Sequence, residues 1–364
     1  MREWELWGAR RANVVWGRAR GGNRSSALTA RRVLHLPAVL LLTAGLLGTR
    51  AGRSHASAAE AQYTDPSPHR VRRIVVASGV SLEILDWGGR GAPLVFLAGY
   101  GNSAHVFDDF APQFRNAYRV VGITRRGFGA SSLPLSGYDN ATLVKDVVAV
   151  LDSLGLNRPF LVAHSFGGAE LNDIAVTHPR AARGFIYLDG AFDFAELYAD
   201  SAWVHTPIPR PPLPQNYVDS PKNDAAYMSA MTGPGYPEAE VRSNSSWSAV
   251  AARAPGFHAE SLATRLMRGT PPMSLRRISV PALAIFGVPA TVQEKYPWYA
   301  RASADAKRKL QQRFAVETPL LARQRSRFRA EVPEGKVIEI SGGRHYVFLT
   351  HPAQVARAIR AFAR

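Results

Sequence analysis

Cysteine is absent from the 364 residues, which excludes disulfides, a thiol nucleophile and any cysteine-ligated zinc. Its absence leaves the compartment open, because a chain without thiols is compatible with oxidising and reducing surroundings alike. A long apolar run is also missing. The best candidate, "LPAVLLLTAGLLG" over residues 36–48, is 13 residues long, short of the ~20 that span a bilayer as a helix. Acidic residues are scarce beside basic ones, 28 against 45, for a formal charge of +17. Such an excess can mark a nucleic-acid partner, but ten arginines against two glutamates in residues 1–58 contribute +8 of it. The remainder is scattered, with one Arg-rich stretch at Arg323–Arg329 that reads as the solvated face of a helix. No zinc-finger, RNP or basic-zipper pattern accompanies it, so no nucleic-acid partner is expected.

The N-terminus has the layout of an export signal. Arginines, Arg31-Arg32 among them, precede the apolar run, and Ala56-Ser57-Ala58 follows it as an A-x-A cleavage signature. The arginine pair hints at twin-arginine export. Residues 1–58 are therefore read as a signal peptide or disordered extension. The mature protein is expected to be periplasmic or secreted, with no stable membrane span. An uncleaved anchor through 36–48 and an extension upstream of the true start are the other readings.

From Val71 onward the pattern is regular. "VRRIVVASG" and "VSLEILDWGG" read as a hairpin turning at Ser78-Gly79. "PLVFLAG" (93–99) is fully apolar, as in a strand buried on both faces. Val106, Phe107, Phe110 and Phe114 suggest one face of a helix, and Leu143, Val147, Val150, Leu151 and Leu154 another. Further strands are read in "RVVGITRRG", "RPFLVAHS", "ARGFIYLDG", "ALAIFG" and "GKVIEISG", alternating with helices that include a charged one over about 303–331 and a last one near 351–364. Strands alternating with helices imply crossovers and a mostly parallel sheet. Residues 192–277 interrupt the alternation. Rich in Pro, Trp, Tyr and Met, they are too long for a plain loop and read as an inserted helical lid. The domain plan is thus 70–191, a 192–277 insertion, and 278–364.

Chemistry concentrates at three places. "AHSFG" (163–167) sets Ser165 between small residues where a strand meets a helix, the context of a nucleophile elbow, with Ala163 in place of the usual first glycine. "SGGRHYVFL" supplies His345 on a loop after a strand, a suitable general base, while His164 and His351 read as structural or surface. "AGYGNSA" (98–104) follows the 93–98 strand. Its Tyr100 amide, with that of Phe166, is the expected pair of oxyanion donors. The same loop also fits G-x-G-x-x-[GA], a dinucleotide fingerprint. The arginines of "GITRR" would then suit a 2′-phosphate, so an NADP-dependent reductase is a rival reading.

With Ser165, His345 and the 98–104 loop in place, the chain resembles the α/β-hydrolase superfamily over about residues 70–364. "ITRRGFGASS" matches that superfamily's D-x-R-G-x-G-x-S loop, with Thr124 at the aspartate position. The resemblance implies an α/β fold: a mostly parallel eight-stranded sheet, helices on both faces, and an inserted lid. It also implies an acid after the strand that follows the lid, yet Gly287-Val288-Pro289-Ala290 offers none. Some members place the acid one strand earlier, which points to Asp189. Glu294 is the alternative.

The resulting expectation is a serine hydrolase with Ser165 as nucleophile, His345 as base and Asp189 as orienting acid, acting on a small, partly apolar ester. Serine at the elbow argues against dehalogenases and epoxide hydrolases, which need a carboxylate nucleophile. Amide, lactone or carbon–carbon cleavage and perhydrolysis stay open, as does the oligomeric state. No metal and no organic cofactor is implied. A non-catalytic ligand-binding protein on the same scaffold is the competing class, motivated by the missing aspartate.

Overall fold

The period-two alternation of strands builds the centre of the molecule. In strand β3 (Ala92–Leu97), Val95 and Leu97 join one apolar cluster while Leu94 and Phe96 join the other. Alternate side chains point to opposite faces of a strand, so a strand covered on both sides must be apolar throughout. The computed structural model describes residues 63–215, 217–251 and 259–364; the signal, cleavage and anchor readings of 1–58 fall outside them.

Eight strands form one sheet in the order β1-β2-β4-β3-β5-β6-β7-β8. β1 (Arg70–Ala77), β2 (Val80–Gly88) and β4 (Tyr118–Ile123) pair antiparallel in sequence. β4, β3, β5 (Phe160–His164), β6 (Gly184–Leu188), β7 (Ala282–Val288) and β8 (Gly335–Ser341) run parallel. The first hairpin turns at Gly79 with φ +70, a conformation glycine adopts without a Cβ clash. β1 is an edge strand, and its exposed Arg70, Arg72 and Arg73 discourage pairing with another chain.

Helices α1 (Asn140–Ser153) and α2 (Gly167–Thr177) connect the central strands. Asp139 caps α1 by accepting the Thr142 amide at 2.9 Å, which satisfies an amide that the first helical turn leaves without a partner. Between β6 and β7 the chain forms α3 (Phe194–Ala199), α4 (Ser201–His205), α5 (Pro221–Thr232), α6 (Glu238–Ala251) and α7 (Ala259–Arg268). The short α8 (Val292–Lys295) and long α9 (Ala304–Glu331) precede β8, and α10 (Val347–Thr350) and α11 (Pro352–Phe362) follow it.

Two local readings change. The aromatic face at 106–114 is carried by two 3₁₀ turns, Ala104–Phe107 and Ala111–Phe114, not by one helix. Pro112 stands at the start of the second turn and has no amide to continue the first; Val106, Phe107, Phe110 and Phe114 are buried all the same. The Arg323–Arg329 stretch is not simply solvated. Arg327 Nη1 lies 2.6 Å from Glu196 and Arg329 Nη2 3.0 Å from Glu339. No helix among the described residues is long and apolar enough to cross a membrane.

Candidate active site

Parallel strands deliver their carboxyl ends to one edge of the sheet, and loops there are the usual place for ligands in such folds. Ser165 leaves the end of β5 with φ +50, a left-handed backbone that is costly for a non-glycine residue and survives only when its surroundings enforce it. The Ser165 amide donates to the Leu188 carbonyl at 3.2 Å, and the Gly168 amide donates to the Ser165 carbonyl at 2.8 Å as α2 begins. The turn needs small residues because backbone meets backbone: a Cβ on Gly168 would sit 1.9 Å from the Gly190 carbonyl oxygen. Ser165 itself is 8% exposed, at the floor of a cavity.

His345 follows β8. Its Nε2 lies 2.9 Å from Ser165 Oγ and its Nδ1 2.8 Å from Asp189 Oδ2. Asp189 leaves the end of β6, also left-handed at φ +45. Its other oxygen accepts the Gly287 amide at 3.3 Å. The strand that lacks the expected aspartate therefore supplies a donor that holds the aspartate of its neighbour. Glu294 is exposed and accepts the Ala290 amide of its own turn at 2.6 Å.

The 98–104 loop lies against the serine, since a Cβ on Gly99 would come within 3.0 Å of both Ser165 Cβ and His164 Nδ1. Tyr100 follows that close approach, and Phe166 caps α2 immediately after Ser165. Buried polar side chains brace the loop. Arg125 donates to the Ala98 carbonyl at 2.9 Å and the Gly99 carbonyl at 3.2 Å, and its Nε bonds to Glu170. Asn102 Nδ2 donates to Tyr236 Oη at 3.0 Å and Glu240 at 2.9 Å, and its Oδ1 accepts from Tyr346 at 2.9 Å. Glu240 reaches in from α6, taking the Ser103 amide at 3.0 Å, the Ser103 hydroxyl, and Asn244 at 2.8 Å.

Residues 94–358 match the family model described as the alpha/beta hydrolase family. The chain belongs to that family. Among curated relatives, it is 30% identical over 142 residues to a 2-hydroxymuconate semialdehyde hydrolase of Pseudomonas putida, covering 38% of this chain and 50% of that protein. It is 36% identical over 100 residues to a non-heme chloroperoxidase of Streptomyces lividans, covering 27% and 36%. The matches thus span half or less of those relatives' lengths. Among solved structures, a probable hydrolytic enzyme of Pseudomonas aeruginosa superposes with a TM-score of 0.58 at 18% identity, covering 83% of this chain and 96% of that one. An E-2-(acetamidomethylene)succinate hydrolase gives 0.56 at 19%, covering 81% and 99%; at such identity the likeness speaks for the fold.

Within this alpha/beta hydrolase, the arginines read as a 2′-phosphate site are committed elsewhere. Arg125 pairs with Glu170, and Arg126 grips both oxygens of Asp146 at 2.6 Å, all four side chains buried. Thr124, at the motif's aspartate position, accepts the Ala104 amide and donates to Glu83, each at 2.9 Å. His164 does more than fill space: its Nε2 lies 3.0 Å from the His345 carbonyl. Full burial holds its imidazole well below the usual histidine range, so the ring is neutral and Nε2–H is the donor. Burial also raises the Glu170 carboxyl, opposed by Arg125, and pushes Glu240 up to about 7. The sequence carried no signal for Glu240 or Tyr346. Asn102 could have been noticed as a polar residue in an otherwise small-residue loop.

Above Ser165 and His345 opens a cavity of about 230 Å³, walled by Phe194, Leu197, Trp203, Met228, Tyr296 and Trp298 among others. Several of these come from the helices between β6 and β7. Arg313 on α9 ties α4 down: it is fully buried, stacks 3.6 Å over Trp203 and donates to the Trp203 carbonyl at 2.6 Å.

Proposed function

We propose that the chain is a serine hydrolase acting through an acyl-enzyme on carboxylic esters of small, partly apolar substrates. The observation that carries this reading is the hydrogen-bonded series Asp189–His345–Ser165 opening into an apolar cavity. Ser165 Oγ attacks the ester carbonyl as His345 Nε2 takes its proton, and Asp189 holds the imidazole tautomer and stabilises the imidazolium. The Tyr100 and Phe166 amides receive the oxyanion, where pre-aimed dipoles act most strongly. His345 then protonates the leaving alcohol, and water activated by the same imidazole releases the acid.

The helices between β6 and β7 serve as the lid, their apolar side chains selecting the acyl or alcohol group. Relatives named as a fluoroacetate dehalogenase and as epoxide hydrolases do not shift the reading, because a serine stands where those chemistries need a carboxylate. The carboxylate beside His345 supports this reading over a binding-only protein, whose motive was the missing aspartate. The mature enzyme is read as exported, with a small-molecule substrate and no cofactor in the reaction.

The test is a fluorophosphonate probe on the purified protein, with the adduct mapped by mass spectrometry, alongside turnover of short-chain p-nitrophenyl esters. Adduct on Ser165 and ester turnover, both lost in Ser165→Ala, are expected. A folded protein that binds apolar ligands but is never labelled at Ser165 would overturn the proposal in favour of a binding module.

A further inference from the structure

We propose that Asp65, His69, His105 and Asp108 form a site for one divalent transition-metal ion of zinc-like chemistry, separate from the Ser165 site. The ion joins the stretch before β1 to the 3₁₀ turn that follows the 98–104 loop. One nitrogen or carboxylate oxygen from each residue can be chosen so that all four lie within 4.8 Å of one another. His105 Nδ1 is 2.6 Å from Asp108 Oδ2 and 3.5 Å from Asp65 Oδ2, while His69 lies with Nδ1 3.0 Å from Asp108 Oδ1 and Nε2 3.8 Å from Asp65 Oδ2. A tetrahedral ion with bonds of roughly 2.0–2.2 Å sets its ligand atoms about 3.4 Å apart, in the middle of that spread. One nitrogen from each histidine and one oxygen from each aspartate are thus near enough for their side chains to turn onto a shared ion.

Three further observations point to a cation. The His69 side chain is only 5% exposed. Its Nδ1, although 3.0 Å from Asp108 Oδ1, makes no hydrogen bond, so a buried nitrogen faces the cluster with its directional capacity unmet. The outer partners are those of a metal site. The Ser67 amide donates to Asp65 Oδ1 at 2.9 Å, and Trp87 Nε1 donates to Asp108 Oδ1 at 3.3 Å. Glu83 faces the far nitrogen of His105, Nε2, at 3.7 Å and is itself held by Thr124. A carboxylate on that side favours the ligating tautomer electrostatically, at a separation longer than a hydrogen bond. Finally, with both imidazoles neutral, as ligation requires, the three carboxylates around them leave a surplus of negative charge in a poorly solvated pocket that a divalent ion neutralises. Two imidazoles with two carboxylates favour zinc, or manganese, iron or nickel, over calcium and magnesium, which prefer all-oxygen shells. No ligand spacing betrays the site in the sequence, because its halves come from 65–69 and 105–108, on either side of β1, β2 and β3.

The test uses the full chain, stripped with EDTA and titrated calorimetrically with Zn²⁺, with Ca²⁺ and Mg²⁺ in parallel; Co²⁺ provides a visible-band reporter of tetrahedral ligation. One equivalent of Zn²⁺ is expected, with tetrahedral Co²⁺ bands and a Tm rise of roughly 5 °C at ~100-fold excess over Kd. Binding should persist in His345→Ala, which separates it from the reaction site, and disappear in His69→Ala. Asp65→Asn, the mildest change, should weaken it at least tenfold. The titration of the unmodified chain decides the matter even if a variant fails to fold. Absence of Zn²⁺ binding, equal binding in wild type and His69→Ala, or a preference for Ca²⁺ or Mg²⁺ would each overturn the proposal and leave an ion-paired cluster.

Discussion

The two arms of the site are built differently. Ser165, Asp189 and His345 follow the ends of β5, β6 and β8, and the first two of those strands are buried at every position. Their backbones are set by the ladder and by apolar burial, neither of which responds to pH. The 98–104 loop across from them follows β3, but its course is held by side chains from elsewhere: Arg125 with Glu170, Glu240 from α6, and Tyr346. Buried ionisable groups are costly to desolvate and sensitive to the loss of a partner. The lesson is that the arm proposed to carry the nucleophile and its base is rigid by construction, whereas the proposed oxyanion arm can be loosened by charge.

The sharpest test of that contrast is at the rigid arm. Ser165→Ala is expected to lower kcat for ester hydrolysis by roughly 10⁶-fold while leaving the circular dichroism spectrum unchanged. Next, Asp189→Asn should lower kcat by about 10⁴-fold through the wrong imidazole tautomer, and Glu294→Gln should leave turnover at the wild-type level; the reverse ranking would reassign the acid. At the other arm, Arg125→Met removes the donors to Ala98 and Gly99 and strands Glu170. A stability loss of about 3–5 kcal/mol in urea unfolding is expected, with kcat lowered by up to ~10² as the loop shifts. The paired change Arg125→Met with Glu170→Leu should recover stability but not rate.

The smallest effect is a pH dependence. Folded Glu240 keeps its proton up to about 7, against an ordinary value of 4.5. Between those values the folded state holds a proton that the unfolded state has released, so stability falls as pH rises through the window and levels off above it. The groups facing Glu240 are Ser103, Asn102, Asn244 and Tyr236; a charge on His105 opposes the effect of burial, and Glu240 in turn raises the neutral phenols of Tyr236 and Tyr346. Glu240→Gln should shrink the Tm difference between about pH 5 and about pH 8 by a few degrees. A Glu240→Gln variant that lost as much activity as Asp189→Asn would erase the distinction between the arms.

Much of the fold was legible because its signals are local. The apolar run Leu94–Leu97 marks a strand buried on both faces, Gly79 marks the first turn, and the small residues around Ser165 mark a sharp one. The two 3₁₀ turns at 104–114 were not legible as such, because the same apolar spacing serves a helix or two short turns. Glu240 could not be read as a brace for Ser103, since 137 residues separate them and a helical glutamate ordinarily faces water. The His164 bond to the His345 carbonyl was equally hidden: its neighbour in sequence marks the elbow, but its partner lies 181 residues away.

The sequence by itself determined the alternation of strands and helices outside 104–114 and 192–277, the sharp turn at Ser165 and the loop that follows β3, because periodicity, small side chains and apolar runs act over a few residues. The tertiary structure alone decided which carboxylate faces His345. Asp189 and Glu294 both stood open as acids, and only the pairing of β7 between β6 and β8 puts the end of β6 within reach of the imidazole while Glu294 closes its own turn. That choice depends on the lateral packing of strands far apart in the chain, which no short stretch of residues encodes.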